Sequence, residues 1–445
     1  AQITRIISYS VNLKSPANAG LFSLNLAPAK RISVRHSFLL VFSILTLSSV
    51  AQDRTVRLMT YNLLNYRNTT SYCTGSNNSS SSKEGHLETI IGEIEPHVVV
   101  MNEIGSNPNN LTYLLNNAFN TGTTTHWAMA NHVHNGFSSL VNGVAYRSDL
   151  LGISNQWAIT KDADNNSLVR AIDIVRFYYK DALLQGNSDT ASFVVIGAHF
   201  KAGNTSSDAA ERNKAATAIV DWVDAHNFEN VFLLGDLNTY SSNEASFQSL
   251  IGGNSFRFED PITSNGNWHN NSSFASIHTQ STRTSGNCHS GGGLDDRFDH
   301  ILCSEAVIEG DEQITYAPNS YFAVGNDGNH FNNAINSGNN YSVSSAVLSA
   351  LYALSDHLPV ILDIEIEGQH LAIASHEGNW TLPNPMPIGT TLTLPEHSRL
   401  YISNLAGQRV FETSATSVEI PLLPKGTYLL RLETMNGHTT RKILF

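Results

Sequence analysis

Apolar runs of strand length with no polar alternation, linked by segments of helical period, are what most constrain the fold of this chain. In Val98-Val99-Val100-Met101 every position is apolar, so such a strand must be covered on both faces. It follows a helical segment read over 84–95, which Pro96 ends. Runs of the same buried kind occupy 56–63, 143–147, 192–199, 230–234, 298–303 and 358–366, and 208–226 places Ala, Ile, Val and Trp at three- and four-residue spacings. Buried strands alternating with helices make an α/β layered domain. With 445 residues, 41% of them hydrophobic, the chain can fill a large core and divides into roughly two or three domains. The polar stretches 74–82, 264–273 and 326–342 read as loops.

The texture changes near Leu371. Short alternating segments at 390–394, 399–402, 409–412, 418–420, 427–433 and 439–444, separated by turns such as Leu405-Ala406-Gly407-Gln408 and Pro424-Lys425-Gly426, predict a separate small all-β sandwich over 371–445. At the other end, Lys30, Arg31 and Arg35 precede the apolar run 38–47 and the small residues Ser49 and Ala51. That is the pattern of a secretory signal peptide over about 30–51, within a leader of 1–52. The run falls short of the ~20 apolar residues that span a bilayer, so no stable membrane span is expected. Whether the residues ahead of Lys30 are translated stays open.

Lys and Arg number 26 against 38 Asp and Glu, a formal charge of −12, and only 14% of residues are charged. This argues against a basic arm or patch that holds nucleic acid by counterion release. It leaves open an enzyme that meets phosphate through a metal ion, which brings its own positive charge.

Six of the strand-like runs end in polar residues that burial does not require: Met59-Thr60-Tyr61-Asn62, Val100-Met101-Asn102-Glu103, Gly197-Ala198-His199, Leu234-Gly235-Asp236-Leu237-Asn238, Phe298-Asp299-His300 and Ser355-Asp356-His357-Leu358-Pro359. Each alone reads as a turn, a cap or a structural histidine. Together, over 53–368, they resemble the endonuclease/exonuclease/phosphatase superfamily, which includes pancreatic deoxyribonuclease, abasic-site endonucleases, bacterial sphingomyelinases and inositol polyphosphate 5-phosphatases. The fold this implies is a four-layer α/β sandwich, two packed β-sheets flanked by helices, with the site at the strand ends on one edge.

Cleavage of a phosphate ester needs a hard cation, a base and hydrogen-bond donors. Glu103 is the best candidate ligand for Mg2+, with Mn2+ as a substitute, because Mg2+ takes one or two carboxylates and keeps several waters. By resemblance, Asn62 holds the metal shell and Asp356 supports a metal or an ordered water. The same resemblance makes His357 the catalytic histidine with Asp299 fixing its ring, Asp236 the group that positions or deprotonates water, Asn238 a phosphate donor and His199 a second acid or donor. Two departures stand out. Leu64 occupies the place where abasic-site enzymes carry an Asp, and the strand Val141-Asn142-Gly143-Val144-Ala145-Tyr146-Arg147 lacks the glutamate that partners the second histidine in pancreatic deoxyribonuclease.

Arg170 and Lys201 are candidate substrate cations, Lys201 on the face of His199 if that strand continues. His126, His132 and His134 lack a fourth ligand for zinc and read as a polar strand edge. Cys303, in an apolar run, reads as a buried free thiol, and Cys73 and Cys288 as loop cysteines that could pair in an exported protein. Leu382-Pro383-Asn384-Pro385, Tyr401-Ile402-Ser403-Asn404-Leu405-Ala406-Gly407-Gln408-Arg409-Val410 and Pro424-Lys425-Gly426-Thr427-Tyr428-Leu429-Leu430-Arg431 resemble the C-terminal sorting domain of type IX secretion in Bacteroidetes. The expectation is a monomeric, Mg-dependent phosphodiesterase, passed through the periplasm by the type IX secretion machinery to the cell surface or beyond, with nucleic acid as substrate. A phosphatase or sphingomyelinase-like enzyme on lipid or sugar phosphates is the alternative, and a non-catalytic surface binder the alternative of another class.

Overall fold

The computed structural model describes residues 54–445 apart from 124, 181–190, 254–255, 367–385, 388, 395–397, 405–407 and 435–436. The expected signal peptide, the boundary between the two expected domains and the turn at 405–407 lie outside the described residues. In chain order the elements up to the boundary are β1 (Arg54–Tyr66), α1 (Ser80–Ile94), β2 (Val98–Gly105), α2 (Asn109–Leu114), β3 (Trp127–Met129), β4 (Leu140–Arg147), β5 (Leu151–Lys161), β6 (Ser167–Tyr179) and β7 (Ser192–His199). Then come α3 (Ser206–His226), β8 (Val231–Asp236), α4 (Ala245–Ile251), β9 (Phe258–Glu259), β10 (Asp299–Ser304), α5 (Glu305–Glu309), β11 (Ile314–Tyr316), β12 (Phe322–Ala323), α6 (Ser345–Leu354) and β13 (Val360–Ile366).

The strands form two mixed sheets, one in the order β11-β13-β1-β2-β4-β3 with β12 beside β13, the other β5-β6-β7-β8-β10-β9. Period-two alternation sorts their residues into layers. Met59, Tyr61, Val99 and Met101 face the side covered by Leu87 and Ile90 of α1 and Leu351 and Leu354 of α6. Leu58, Val98 and Val100 point the other way and meet Val175, Phe177, Val195, Phe232 and Leu234 of the second sheet. The far face of that sheet, with Ile174, Val194, Ile196 and Leu233, is covered by Ile219 and Val223 of α3 and Phe247 and Leu250 of α4. The result is helix, sheet, sheet, helix, the four layers expected.

Local chemistry explains the differences in detail. Helix α1 starts inside the serine run that composition marks as loop, because Ser79 caps it by accepting a hydrogen bond from Ser82 N. Thr205 and Asp208 form a capping box that starts α3, and Asn227 in the left-handed region ends it. The hairpin β5-β6 was not expected over its full length. β5 is an edge strand with exposed Ser154 and Asn155, so it has no continuous apolar run to betray it.

The tail holds β14 (Thr391–Thr393), β15 (Arg399–Asn404), β16 (Arg409–Thr413), β17 (Ser417–Glu419), β18 (Thr427–Thr434) and β19 (Gly437–Leu444). A β14-β17 pair and a β16-β15-β18-β19 sheet share a core of Leu392, Leu394, Leu400, Ile402, Val418, Ile420 and Leu430, the small sandwich read from the sequence.

Candidate active site

Strand direction gathers the polar ends. β1 runs parallel to β2, and β7 to β8, so each pair delivers its C-terminal residues to one edge. β10 and β13 are antiparallel to β8 and β1, so it is their starts that arrive there. In register, Asp236 stands beside His199 on one side and Asp299 on the other.

His357 Nδ1 donates to Asp299 Oδ2 at 2.7 Å, and both residues are buried. Burial opposes a charge on this ring, but the carboxylates of Asp299 and Asp236 outweigh it and raise its pKa well above the ordinary histidine value. Asp236 Oδ2 lies 3.8 Å from His357 Nε2 and 3.5 Å from His199 Nε2, and it accepts from Asn62 Nδ2 at 3.0 Å. Burial, with Asp299 and Glu103 close by, pushes the Asp236 carboxyl up to about 7 against the opposing pull of His357. His199 is held far below its ordinary range by burial and by the charges of Arg170 and His357, and its Nδ1 has no partner. The missing glutamate is not replaced.

Asn238 takes the left-handed conformation that asparagine tolerates, its own N–H bonded to Asp236 Oδ1 at 3.0 Å. Asn102 accepts from Asp236 N at 3.1 Å and donates to Asn142 Oδ1 at 2.9 Å, so the two asparagines of the quoted strands lock the sheets together beneath the site. Arg170 donates to Phe200 O at 2.8 Å, feels the charges of Glu103 and Asp236, and leaves Nε unpartnered.

The oxygen donors suit a hard divalent cation. Glu103, with φ near +60°, accepts from Asn65 N through Oε2, while Oε1 stands 4.0 Å from His199 Nε2. Asp356 accepts from Ser290 N at 2.7 Å through Oδ2, and its buried Oδ1 is unpartnered. Asn62 Oδ1 accepts from Leu64 N and its amide donates to Asp236, so it orients that carboxylate. Asp236, Asp299 and His357 also form a group compact enough to hold an ion.

Lys201 is not brought to this cluster. β7 ends at His199, so the alternation that would have carried Lys201 onto the same face stops, and its ammonium pairs with Asp208 at 2.8 Å. His126, His132 and His134 do not appear among the compact metal-ligating groups of the described residues, and His134 Nε2 bonds Ser138 O at 2.6 Å. Cys303 is a buried free thiol, and Cys73 and Cys288 are joined in a disulfide.

Sequence reasoning missed Gln280, Ser290 and Lys83. The first two lie in a Ser/Thr/Asn-rich stretch with no period to single them out. Lys83 is buried in the first turn of α1 and donates to Leu63 O, Leu64 O and Leu354 O at 2.7, 2.8 and 2.7 Å. Burial lowers it to about 7 although Asp356 and Glu103 favour its charge.

Asp173 of β6 supplies a check on the fold near the site. It accepts from Val133 N at 2.9 Å, and burial raises its carboxyl to about 7. A carboxyl whose pKa is raised on folding costs stability as pH climbs from its unfolded value of about 4 to about 7. Asp173→Asn is therefore expected to match wild type near pH 4 and to be the more stable protein at pH 8, measured by urea unfolding.

Residues 381–445 match the family described as the secretion system C-terminal sorting domain. This tail marks the chain for type IX secretion, to the cell surface or the extracellular space. Among the described residues no helix is long and apolar enough to cross a membrane. No curated protein matches the chain. Solved structures similar to it include an endonuclease/exonuclease/phosphatase from Bacteroides vulgatus, 14% identical with a TM-score of 0.44, covering 71% of this chain and 100% of that one. The human nocturnin catalytic domain is 10% identical, with a TM-score of 0.45 and coverage of 71% and 98%. TDP2 from D. rerio, complexed with a single-strand DNA product, is 12% identical, with a TM-score of 0.44 and coverage of 70% and 99%.

Proposed function

We propose that this chain is an exported, divalent-metal-dependent phosphoric ester hydrolase. The observation that carries the reading is the buried Asp299–His357 couple, with Asp236 3.8 Å from the free face of the ring and Glu103 presenting an uncommitted oxygen nearby. A surface binder needs no histidine oriented by a buried carboxylate. Mg2+ held by Glu103, with Asp356 in support, would offset charge on the phosphoryl and leaving oxygens. Asp236, its basicity raised by burial, orients the attacking water and takes its proton. His357, fixed through Nδ1 by Asp299, presents Nε2–H to a phosphoryl oxygen. Asn238 and Arg170 complete the donor set on the side of His199.

As substrate we propose the phosphodiester bonds of extracellular nucleic acid. A second reading, a small phosphate ester of a lipid or sugar, is favoured by one observation. Several cations are engaged inside the protein, Lys83 with three carbonyls, Lys201 with Asp208, Arg212 with Glu244 and Arg283 with Tyr352 O, which leaves Arg170 as the cation that feels Glu103 and Asp236. A polyanion gains little from cations already committed to internal hydrogen bonds and ion pairs. Supercoiled plasmid, linear DNA, RNA, sphingomyelin and phosphoinositides, each with Mg2+ or EDTA, separate the readings. Turnover of none of them in the presence of metal would remove the hydrolase assignment.

We further propose that 53–368 carries all of the chemistry and 371–445 only the address. The tail keeps its own core, so deleting it is expected to leave specific activity unchanged while the protein accumulates in the periplasm of its host. Loss of activity on polymeric DNA, with activity on a small phosphodiester retained, would instead make the tail a substrate anchor.

A further inference from the structure

Resting on the hydrolase reading, we infer that Gln280 is a positioning residue for His357, holding the ring from the side opposite Asp299. Gln280 Nε2 lies 2.7 Å from His357 Nε2, while Asp299 Oδ2 takes Nδ1 at the same distance, so both ring nitrogens are engaged. The backbone around Gln280 is tied to both partners. Gln280 N donates to Asp296 O at 3.0 Å, and Gln280 O accepts from Asp295 N and Asp296 N at 2.8 Å each. Its neighbour Thr279 accepts through Oγ1 from Phe298 N at 3.1 Å and Asp299 N at 3.2 Å, and through its carbonyl from Leu358 N at 2.7 Å. One two-residue segment thus fixes the carboxylate beneath the ring and caps the ring from above.

A carboxamide suits that place. Its NH2 group lies at hydrogen-bond distance from Nε2, giving the ring a second fixed point besides Asp299. Leucine forms no bond to the ring, and glutamate adds a negative charge where an anion must bind.

The test uses the purified full-length protein. Gln280→Leu is expected to lower kcat about 10-fold with KM and melting temperature little changed. Gln280→Glu should restore much of kcat and raise KM for a phosphate ester about 10-fold. In the substrate-free protein, the downfield proton NMR signal of the His357 ring N–H on Asp299 should be sharp in wild type and broadened in Gln280→Leu. A leucine variant with wild-type or higher kcat, or an unchanged ring signal, overturns the inference. The NMR arm needs no substrate, so it judges Gln280 even if wild type cleaves no phosphate ester, a result that would count against the hydrolase reading instead.

Discussion

Replacing His357 by alanine is expected to lower kcat by about 10²-fold or more, the scale on which a positioned acid or base acts. The ring is 3% exposed and fixed at Nδ1 by Asp299, so no other side chain can take its place without moving the strand start that carries it. The same substitution also strands Asp299, a fully buried carboxylate, without its partner. Removing one member of a buried pair costs about 3–5 kcal/mol, so some loss of stability should accompany the loss of rate. His357→Gln separates the two effects, because its amide can still donate to Asp299 while offering no imidazole. It should show the same fall in kcat with a smaller fall in unfolding free energy. A glutamine variant that turns over at the wild-type rate would take His357 out of the mechanism.

Glu103→Gln should raise the Mg2+ concentration needed for half-maximal activity about 10-fold or more. The side chain keeps its shape and can still accept from Asn65 N, so what is lost is the formal charge of the carboxylate assigned to the ion. Calorimetric titration of the purified protein with Mn2+, without substrate, should show the same weakening. If both titrations match wild type, the ion sits elsewhere, with Asp236, Asp299 and His357 as the next group to examine.

How far the sequence reaches depends on burial. Val98-Val99-Val100-Met101 and its counterparts are covered on both faces, so composition alone marks them, and the residues that end them fall together because strand direction is shared. β5 is only half covered, and its pattern is lost among loops. At the site, Asn62, Glu103, His199, Asp236, Asp299 and His357 were legible as polar residues in places where the core should continue. Lys201 was placed on the face of His199 on the condition that the strand continue two residues past it, but the strand stops at His199 and the ammonium pairs with Asp208. Lys83 and Gln280 could not be read at all. A polar residue in the first turn of a helix or in a Ser/Thr loop is ordinary, and what singles these two out is three carbonyls and one imidazole contributed by segments far away in sequence.

The disulfide between Cys73 and Cys288 gives the site a chronology. It joins residues 215 apart, and Cys288 lies two residues before Ser290, whose N–H holds Asp356 in place. In a reducing cytoplasm both thiols stay free, so the loop that steadies Asp356 is tethered only once the chain has crossed into an oxidising compartment. For a chain marked for type IX secretion, that order places the tethering of the Asp356 loop after departure from the cytoplasm.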